Sequence, residues 1–277
     1  MNPKSVERAK SSVCKVIGTH RGFNYNEPYV PCEESIFGGT AFFVDHKAFG
    51  DKFPAKNDHR YLLTNFHVVD SLHNQECQIY FPSKGNSCLR ATVAFAVPSL
   101  DCAILEIDVS AVHPFWYDGG NIREFLSSIS NLQLDLKQPV KGNSQKVVAI
   151  GFPNLSKDYQ LCTGVISGRG LGMIQLSISL NGGNSGGPLM LKNKVIGINT
   201  ATISDSESLG LAIPIYTVGR FFNYWTNYES ILLSTPSWGM ATGPCTDTYL
   251  EYNGVETSVQ GCSVDRIVEG AAMDKGK

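Results

Sequence analysis

The chain has 277 residues, 42% apolar and 17% charged, and its 23 Lys and Arg set against 25 Asp and Glu give a net charge of -2. That content suffices for one large domain plus a fragment, or for two medium domains. The scattered, nearly balanced charge offers no basic footprint for phosphate backbones, so nucleic acid is not an expected partner.

The opening stretch MNPKSVERAK is polar and charged, with no apolar core or small-residue cleavage site behind it, so no secretory signal is expected there. No apolar run approaches membrane-spanning length, and no membrane span is expected. From there the chain alternates short runs rich in β-branched and aromatic residues with Gly, Pro, Asn and Ser, and almost nothing carries a long 3.6-residue period. The first set of expected strands is SVCKVIG, GGTAFFVD, YLLTNFHVV, CQIYFP, RATVAFAV and DCAILEID. A less regular bridge follows, in which NIREFLSSIS reads as a short helix. The second set is KVVAIGFP, QLCTGVISG, IQLSIS, GPLML, KVIGINTATI and LGLAIP. Two sets of about six strands predict an all-β fold of two packed six-stranded β-barrels.

The first barrel is placed at about 12–112, the linker at 113–138, the second barrel at 139–215 and a helix at 216–228. On that helix Val218, Phe221, Phe222 and Trp225 fall on one face, an aromatic stripe that reads as core packing rather than a cofactor box. Residues 229–277 are expected to hold a linker and then, from Ser237 onward, a change of texture that reads as two or three strands and the start of a helix, too little to close a domain.

Eight cysteines stand at 14, 32, 77, 88, 102, 162, 245 and 262, none in a CxxC pair and several inside apolar runs, so buried free thiols are expected. The histidines do not pair with them at zinc-finger spacing; neither a metal nor a cofactor is expected.

The chemistry-bearing residues emerge in combination. His67 ends an apolar strand, Asp101 precedes one, and Ser185 sits in NGGNSGGPL. Each has an ordinary structural explanation: a satisfied core histidine, a strand-start cap, a glycine turn. Their order, His67, Asp101, Ser185, is the one in which a catalytic triad is built on paired β-barrels, whereas other folds use other orders. Separations of 34 and 84 residues leave His67 and Asp101 in the first barrel and Ser185 in the second, with a cleft between them suited to an extended peptide. A serine hydroxyl is a poor nucleophile until a base takes its proton, and a carboxylate on imidazole Nδ1 fixes the tautomer that leaves Nε2 as acceptor. Asp70, three residues beyond His67 in the same segment, would face away or into solvent. The glycines around Ser185 allow a tight turn in which the backbone N–H groups of Gly183 and Ser185 form an oxyanion hole, and Pro188 restricts the exit into the next strand.

The segments GGTAFFV, LLTNFHVV, LDCAILEI, AIGFP, TGVISG, GGNSGGPL, VIGINTA and GLAIP, in this order over about Ser12 to Tyr228, resemble the trypsin-like (chymotrypsin-fold) serine proteases of the HtrA/Deg type. The tail resembles the first half of a PDZ domain, with SWGM at the carboxylate-binding loop and GCSVDRIVEGAAMDKGK at the strand and helix start that follow. The resemblance implies a peptidase domain over 1–228 and a partial PDZ-like segment over 229–277. Its implied activity is a cofactor-independent serine endopeptidase acting on unfolded or misfolded proteins, often as a homotrimer. It carries the triad onto His67, Asp101 and Ser185, the oxyanion hole onto Gly183 and Ser185, and the primary specificity pocket onto Leu180, Ile198 and Thr200. The absence of an acid in SISLNGG disfavours Lys or Arg there and favours small or medium aliphatic side chains. Asn184 stands where digestive relatives carry an acid that pairs with a newly cut N-terminus, so activity should not require that cleavage. Candidate regulatory loops are Phe152 to Gln160, Gly168 to Met173 and Ser204 to Ser208. An NLS sequon at Asn154 is expected to be an unmodified loop. The missing export signal points to an intracellular, cytoplasmic or nuclear protein, of eukaryotic or viral type.

Two rivals stay open beside protein quality control: a processing protease that cuts a few defined sites, and a chaperone-like binding scaffold whose triad is held silent.

Overall fold

A computed structural model describes residues 3–21, 29, 34–72, 76–116, 119–137, 144–170, 172–202, 210–233, 240–244, 247–254, 256 and 262–267. The chain divides into two compact units, Met1–Ser234 and Thr235–Lys277.

The first unit opens with helix α1 (Pro3–Ser11), in the polar start, to which the sequence reading assigns no element; Ala9 is buried. Six strands follow: β1 (Val13–Arg21), β2 (Glu34–Val44), β3 (His59–Thr64), β4 (Glu76–Tyr80), β5 (Cys88–Val97) and β6 (Cys102–Asp108). They close into an antiparallel barrel in the order β1-β2-β3-β6-β5-β4. Helix α2 (Ile122–Ser128) lies in the bridge, its first turn capped by the Asn121 side chain, which accepts from the Glu124 N–H. The second six are β7 (Lys146–Gly151), β8 (Gln160–Gly170), β9 (Met173–Leu176), β10 (Pro188–Leu191), β11 (Lys194–Thr202) and β12 (Gly210–Pro214). They close in the order β10-β11-β12-β9-β8-β7, which read backwards repeats the order of the first barrel. Closure removes the exposed edges that open sheets must otherwise protect.

Side-chain alternation explains why so many strands read as continuous apolar runs. On β6, Ala103, Leu105 and Ile107 belong to a cluster built from the first barrel and α2, while Cys102 and Ile104 belong to another cluster that also holds Ile150, Phe152, Met190 and Ile198 of the second barrel. Phe43 and Phe42 on β2, and Leu62 and Leu63 on β3, divide the same way. A third cluster, with Val147, Ala149, Leu176 and Leu189, fills the second barrel. One face of these strands therefore fills its own barrel and the other packs the barrels together, leaving no polar face to write into the sequence. Full burial of each Val, Leu, Ile, Phe or Met side chain among them contributes roughly 1.5–3 kcal/mol.

Helix α3 (Ile215–Tyr224) buries Ile215, Val218 and Phe222, and Phe222 meets Phe49 at a ring separation of 5.2 Å. It ends four residues earlier than the expected helix: Trp225 is extended and stacks on Phe221 at 5.0 Å. Beyond it the chain returns to the first barrel, where Ala96 N–H donates to Ile231 O and Leu233 N–H to Ala96 O. Residues expected in a linker from 229 onward thus belong to the first unit, which ends at Ser234.

In the second unit β13 (Met240–Pro244) pairs antiparallel with β14 (Cys262–Ile267), and helix α4 (Asp247–Tyr252) lies between them in sequence. The Ser237–Gly239 part of the expected carboxylate loop and the helix expected after Ile267 lie outside the described residues, as does the Ser204–Ser208 loop.

Candidate active site

Strand register brings the first two site residues together. On β3 and β6, Thr64 pairs with Ala103, so residues just past the end of β3 meet those just before β6. His67 stands in the turn after β3, three residues beyond the strand that was expected to contain it. The turn is anchored by Thr64, whose hydroxyl donates to Thr40 O at 2.8 Å, and by fully buried Asn65, whose Nδ2 donates to Asp101 O at 3.0 Å.

Asp101 adopts the left-handed conformation (φ 46°, ψ 46°), which Asp tolerates better than most residues. Its carboxylate lies 2.8 Å (Oδ2) and 3.0 Å (Oδ1) from His67 Nδ1, accepts the His67 backbone N–H at 2.9 Å on Oδ1, and accepts the Thr200 hydroxyl at 2.7 Å on Oδ2. Burial pushes this carboxyl's pKa up, but the side-chain and backbone hydrogen bonds of His67 and that of Thr200 together hold it below the usual aspartate range. Asp70 lies on the surface with Ser71 as its hydrogen-bond donor. Cys102, next to Asp101, is fully buried and its thiol is pushed far up by burial.

The third residue is brought in by the second barrel. Beyond the β10–β11 pair the ladder continues, with Asn199 N–H donating to Gly187 O and Gly186 N–H to Asn199 O, so Ser185 comes to lie beside Thr200. The Ser185 hydroxyl donates to Thr200 O at 2.6 Å. No hydrogen bond joins it to His67 among the described residues; Thr200 touches both Asp101 and Ser185.

The turn carrying Ser185 is pressed against the Phe152–Leu155 segment after β7 and against the first barrel, and two glycines make this fit. Gly183 has φ +91° and a Cβ there would lie 2.2 Å from Phe152 O; Gly186 has φ +85° and a Cβ would lie 2.1 Å from Thr40 O. Buried Thr40 joins the parts: its N–H donates to Ser185 O at 2.8 Å, its hydroxyl donates to Gly183 O at 2.7 Å, and the Phe152 N–H donates to that hydroxyl at 3.1 Å. The Gly182 carbonyl accepts the Asn154 N–H at 2.6 Å. Since the two ends of a trans peptide point oppositely, the Gly183 N–H faces away from Asn154. Neither this N–H nor that of Ser185 has a backbone or side-chain acceptor among the described residues.

The remaining expected site residues are more deeply placed. Ile198 is fully buried in the cluster between the barrels, and Leu180 lies in the second-barrel cluster against Gly210. Thr200 spans the site rather than lining an apolar wall alone. Asn184 is buried, its N–H donating to Asn181 O. Thr40 and Asn65 were not singled out from sequence; the only signal is a polar residue inside an apolar strand, GGTAFFV or LLTNFHV. A cleft of about 820 Å³ lies elsewhere, along the first barrel between Glu76, Arg90, Asp108 and Trp116, and contains none of these groups.

Residues 39–198 match the family model described as a trypsin-like peptidase domain. The Bacillus subtilis serine protease Do-like HtrB is 30% identical over 58% of this chain, and the mitochondrial protease Do-like 4 of Arabidopsis thaliana is 25% identical over 78% of it. The chain spans 34% and 38% of the lengths of those two relatives. The solved HtrA-type protease AlgW with decapeptide shares the fold at a TM-score of 0.66 and 21% identity, over 98% of this chain and 81% of that one. Relatives include mitochondrial and bacterial proteins, and among the described residues no helix is long and apolar enough to cross a membrane. With its two barrels and more than half its length matched, the chain belongs to the trypsin-like peptidase domain family, and its relatives are Do-like serine proteases of the HtrA type.

Proposed function

We propose that the chain is a serine endopeptidase in which Ser185 is the nucleophile, His67 the general base and Asp101 the group that orients and stabilises the imidazole. The observation that carries this is the two-point grip of Asp101 on His67, on Nδ1 and on the backbone N–H, which leaves Nε2 as the ring nitrogen with no hydrogen-bond partner among the described residues. This reading requires a rotation about the Ser185 Cα–Cβ bond that carries its hydroxyl from Thr200 O toward that nitrogen. His67 then takes the Oγ proton as Oγ bonds to the substrate carbonyl carbon, and the carbonyl oxygen gathers charge against the N–H groups of Gly183 and Ser185. Collapse breaks the C–N bond, the amine leaves with the proton from His67, and water repeats the sequence on the acyl-enzyme.

The substrates we assign are unfolded or misfolded proteins cut after small or medium aliphatic residues, with Leu180, Ile198 and Thr200 shaping the pocket. Apolar Leu180 and the absence of an acid in SISLNGG support that preference. The likeness to HtrA-type proteases and to AlgW with decapeptide supports a peptide substrate; the PDZ-like character of the tail and a homotrimeric assembly are assigned on the resemblance of the sequence segments alone. A silent scaffold is the second reading, favoured by one observation, the Ser185 hydroxyl resting on Thr200 O. Incubation with reduced casein decides between them. The expected result is cleavage by the native chain and none by Ser185→Ala; an intact substrate with both would favour the scaffold.

A further inference from the structure

The Gly182–Gly183 peptide is turned by the bond from Asn154 N–H, and Asn154 belongs to a turn, Pro153–Leu155, in which both Asn154 (φ 51°) and Leu155 (φ 55°) are left-handed. A leucine in that region is unusual, so the turn persists through what surrounds it. Two neighbours on the first barrel supply that support. Lys15 on β1 and Thr40 on β2 are directly opposed in the antiparallel register and so project on the same face. Thr40 holds Phe152 N–H and Gly183 O. The Lys15 ammonium donates to the carbonyls of Leu155 at 3.4 Å and Ser156 at 3.3 Å, the two residues after Asn154. The Tyr80 ring lies 5.4 Å from the ammonium, and no carboxylate forms an ion pair with it among the described residues. Burial and the nearby Lys157 both lower its pKa, so the charge is held here against its preference for open water.

We propose that Lys15 is a positioning residue for the oxyanion hole: by clamping the two carbonyls that follow Asn154 it keeps the Asn154 N–H on Gly182 O, and through that peptide keeps the Gly183 N–H aimed at the substrate oxygen. This role rests on the assignment of Ser185 as nucleophile, but the clamp can be read independently of turnover.

The test compares the full chain with Lys15→Met, which keeps the apolar stem, and Lys15→Arg, which keeps the charge. Hydrogen–deuterium exchange is followed in the segments 152–160 and 180–187, alongside peptide hydrolysis. Lys15→Met is expected to speed exchange in those two segments alone and to lower kcat by roughly tenfold, less than the ~10²-fold or more lost with a whole oxyanion donor. KM should stay within about twofold, since the defect falls on the transition state, and Lys15→Arg should recover most of both. Unchanged exchange in both segments, or a rise spread evenly over the chain, would overturn the clamp whether or not the chain cleaves anything. Local exchange that responds in a chain with no Ser185-dependent hydrolysis would uphold the clamp and overturn the proposed function instead.

Discussion

Asp101 is the residue on which the site converges, accepting from the backbone and ring of His67 and from Thr200 while its own carbonyl accepts from Asn65. Asp101→Asn leaves the volume unchanged but removes the charge that favours imidazolium and presents the wrong donor to Nδ1. Activity on casein is expected to fall by about 10⁴-fold. The carboxylate also links stability to pH. The unfolded chain protonates it near the ordinary ~3.9 and the folded chain at a lower pH, so the ionised form stabilises the fold at neutral pH and that contribution disappears as pH falls through the folded value. The melting-temperature gap between the native chain and Asp101→Asn should therefore narrow between about pH 6 and about pH 3; a constant gap would mean that the carboxylate is not held below its usual range. Thr200 and Thr40 act at this scale too, through partners 99 and 143 residues away, and nothing local in the sequence marks such bonds.

At the scale of the element, the Ser185 turn and helix α3 show what local sequence encodes and what packing adds. NGGNSGGPL announces a turn, yet which glycine is indispensable depends on what approaches it. Gly186 combines a positive φ with two first-barrel oxygens, Thr40 O and Thr64 Oγ1, within 2.3 Å of where a Cβ would stand. Gly186→Ala is expected to cost stability by at least ~1–3 kcal/mol, visible as a fall in melting temperature, and to separate Ser185 from Thr40. On α3, Phe222 is buried against Phe49 and Phe221. Phe222→Ala should destabilise the peptidase unit by ~3–5 kcal/mol; a loss under about 1 kcal/mol in chemical denaturation would show that the helix is not fastened through that ring.

At the scale of the molecule, the two-barrel architecture was legible because β-branched runs punctuated by Gly, Pro and Asn recur in two sets, and an observed strand falls on each of those runs. Helix α1 was not, since only Ala9 of its residues is described as buried and nine residues give little period to detect. The end of the peptidase unit was also hidden, because residues 231–233 join the first barrel through backbone bonds to Ala96 that any side chains could make. His67, Asp101 and Ser185 are singled out in the sequence by their order; Lys15, Thr40 and Asn65 become visible only when β1, β2 and the turn after β3 are brought against the second barrel. The same packing sorts the thiols. Cys14, Cys77 and Cys102 are buried, and burial pushes the Cys77 thiol to about 12, whereas Cys88 is exposed. Brief alkylation of the folded chain, mapped cysteine by cysteine, should modify Cys88 before those three and leave activity intact; loss of activity on alkylation at Cys102 would give that thiol more than a packing role.

In the proposed mechanism Ser185 becomes a nucleophile when His67 takes its proton. The most direct measurement is reaction of the folded chain with a serine-reactive fluorophosphonate, followed by mass mapping of the adduct, in parallel with His67→Ala. The predicted result is one adduct, on the peptide carrying Ser185, formed by the native chain and lost in the His67 variant. An adduct elsewhere, or labelling of Ser185 that does not depend on His67, would contradict the account.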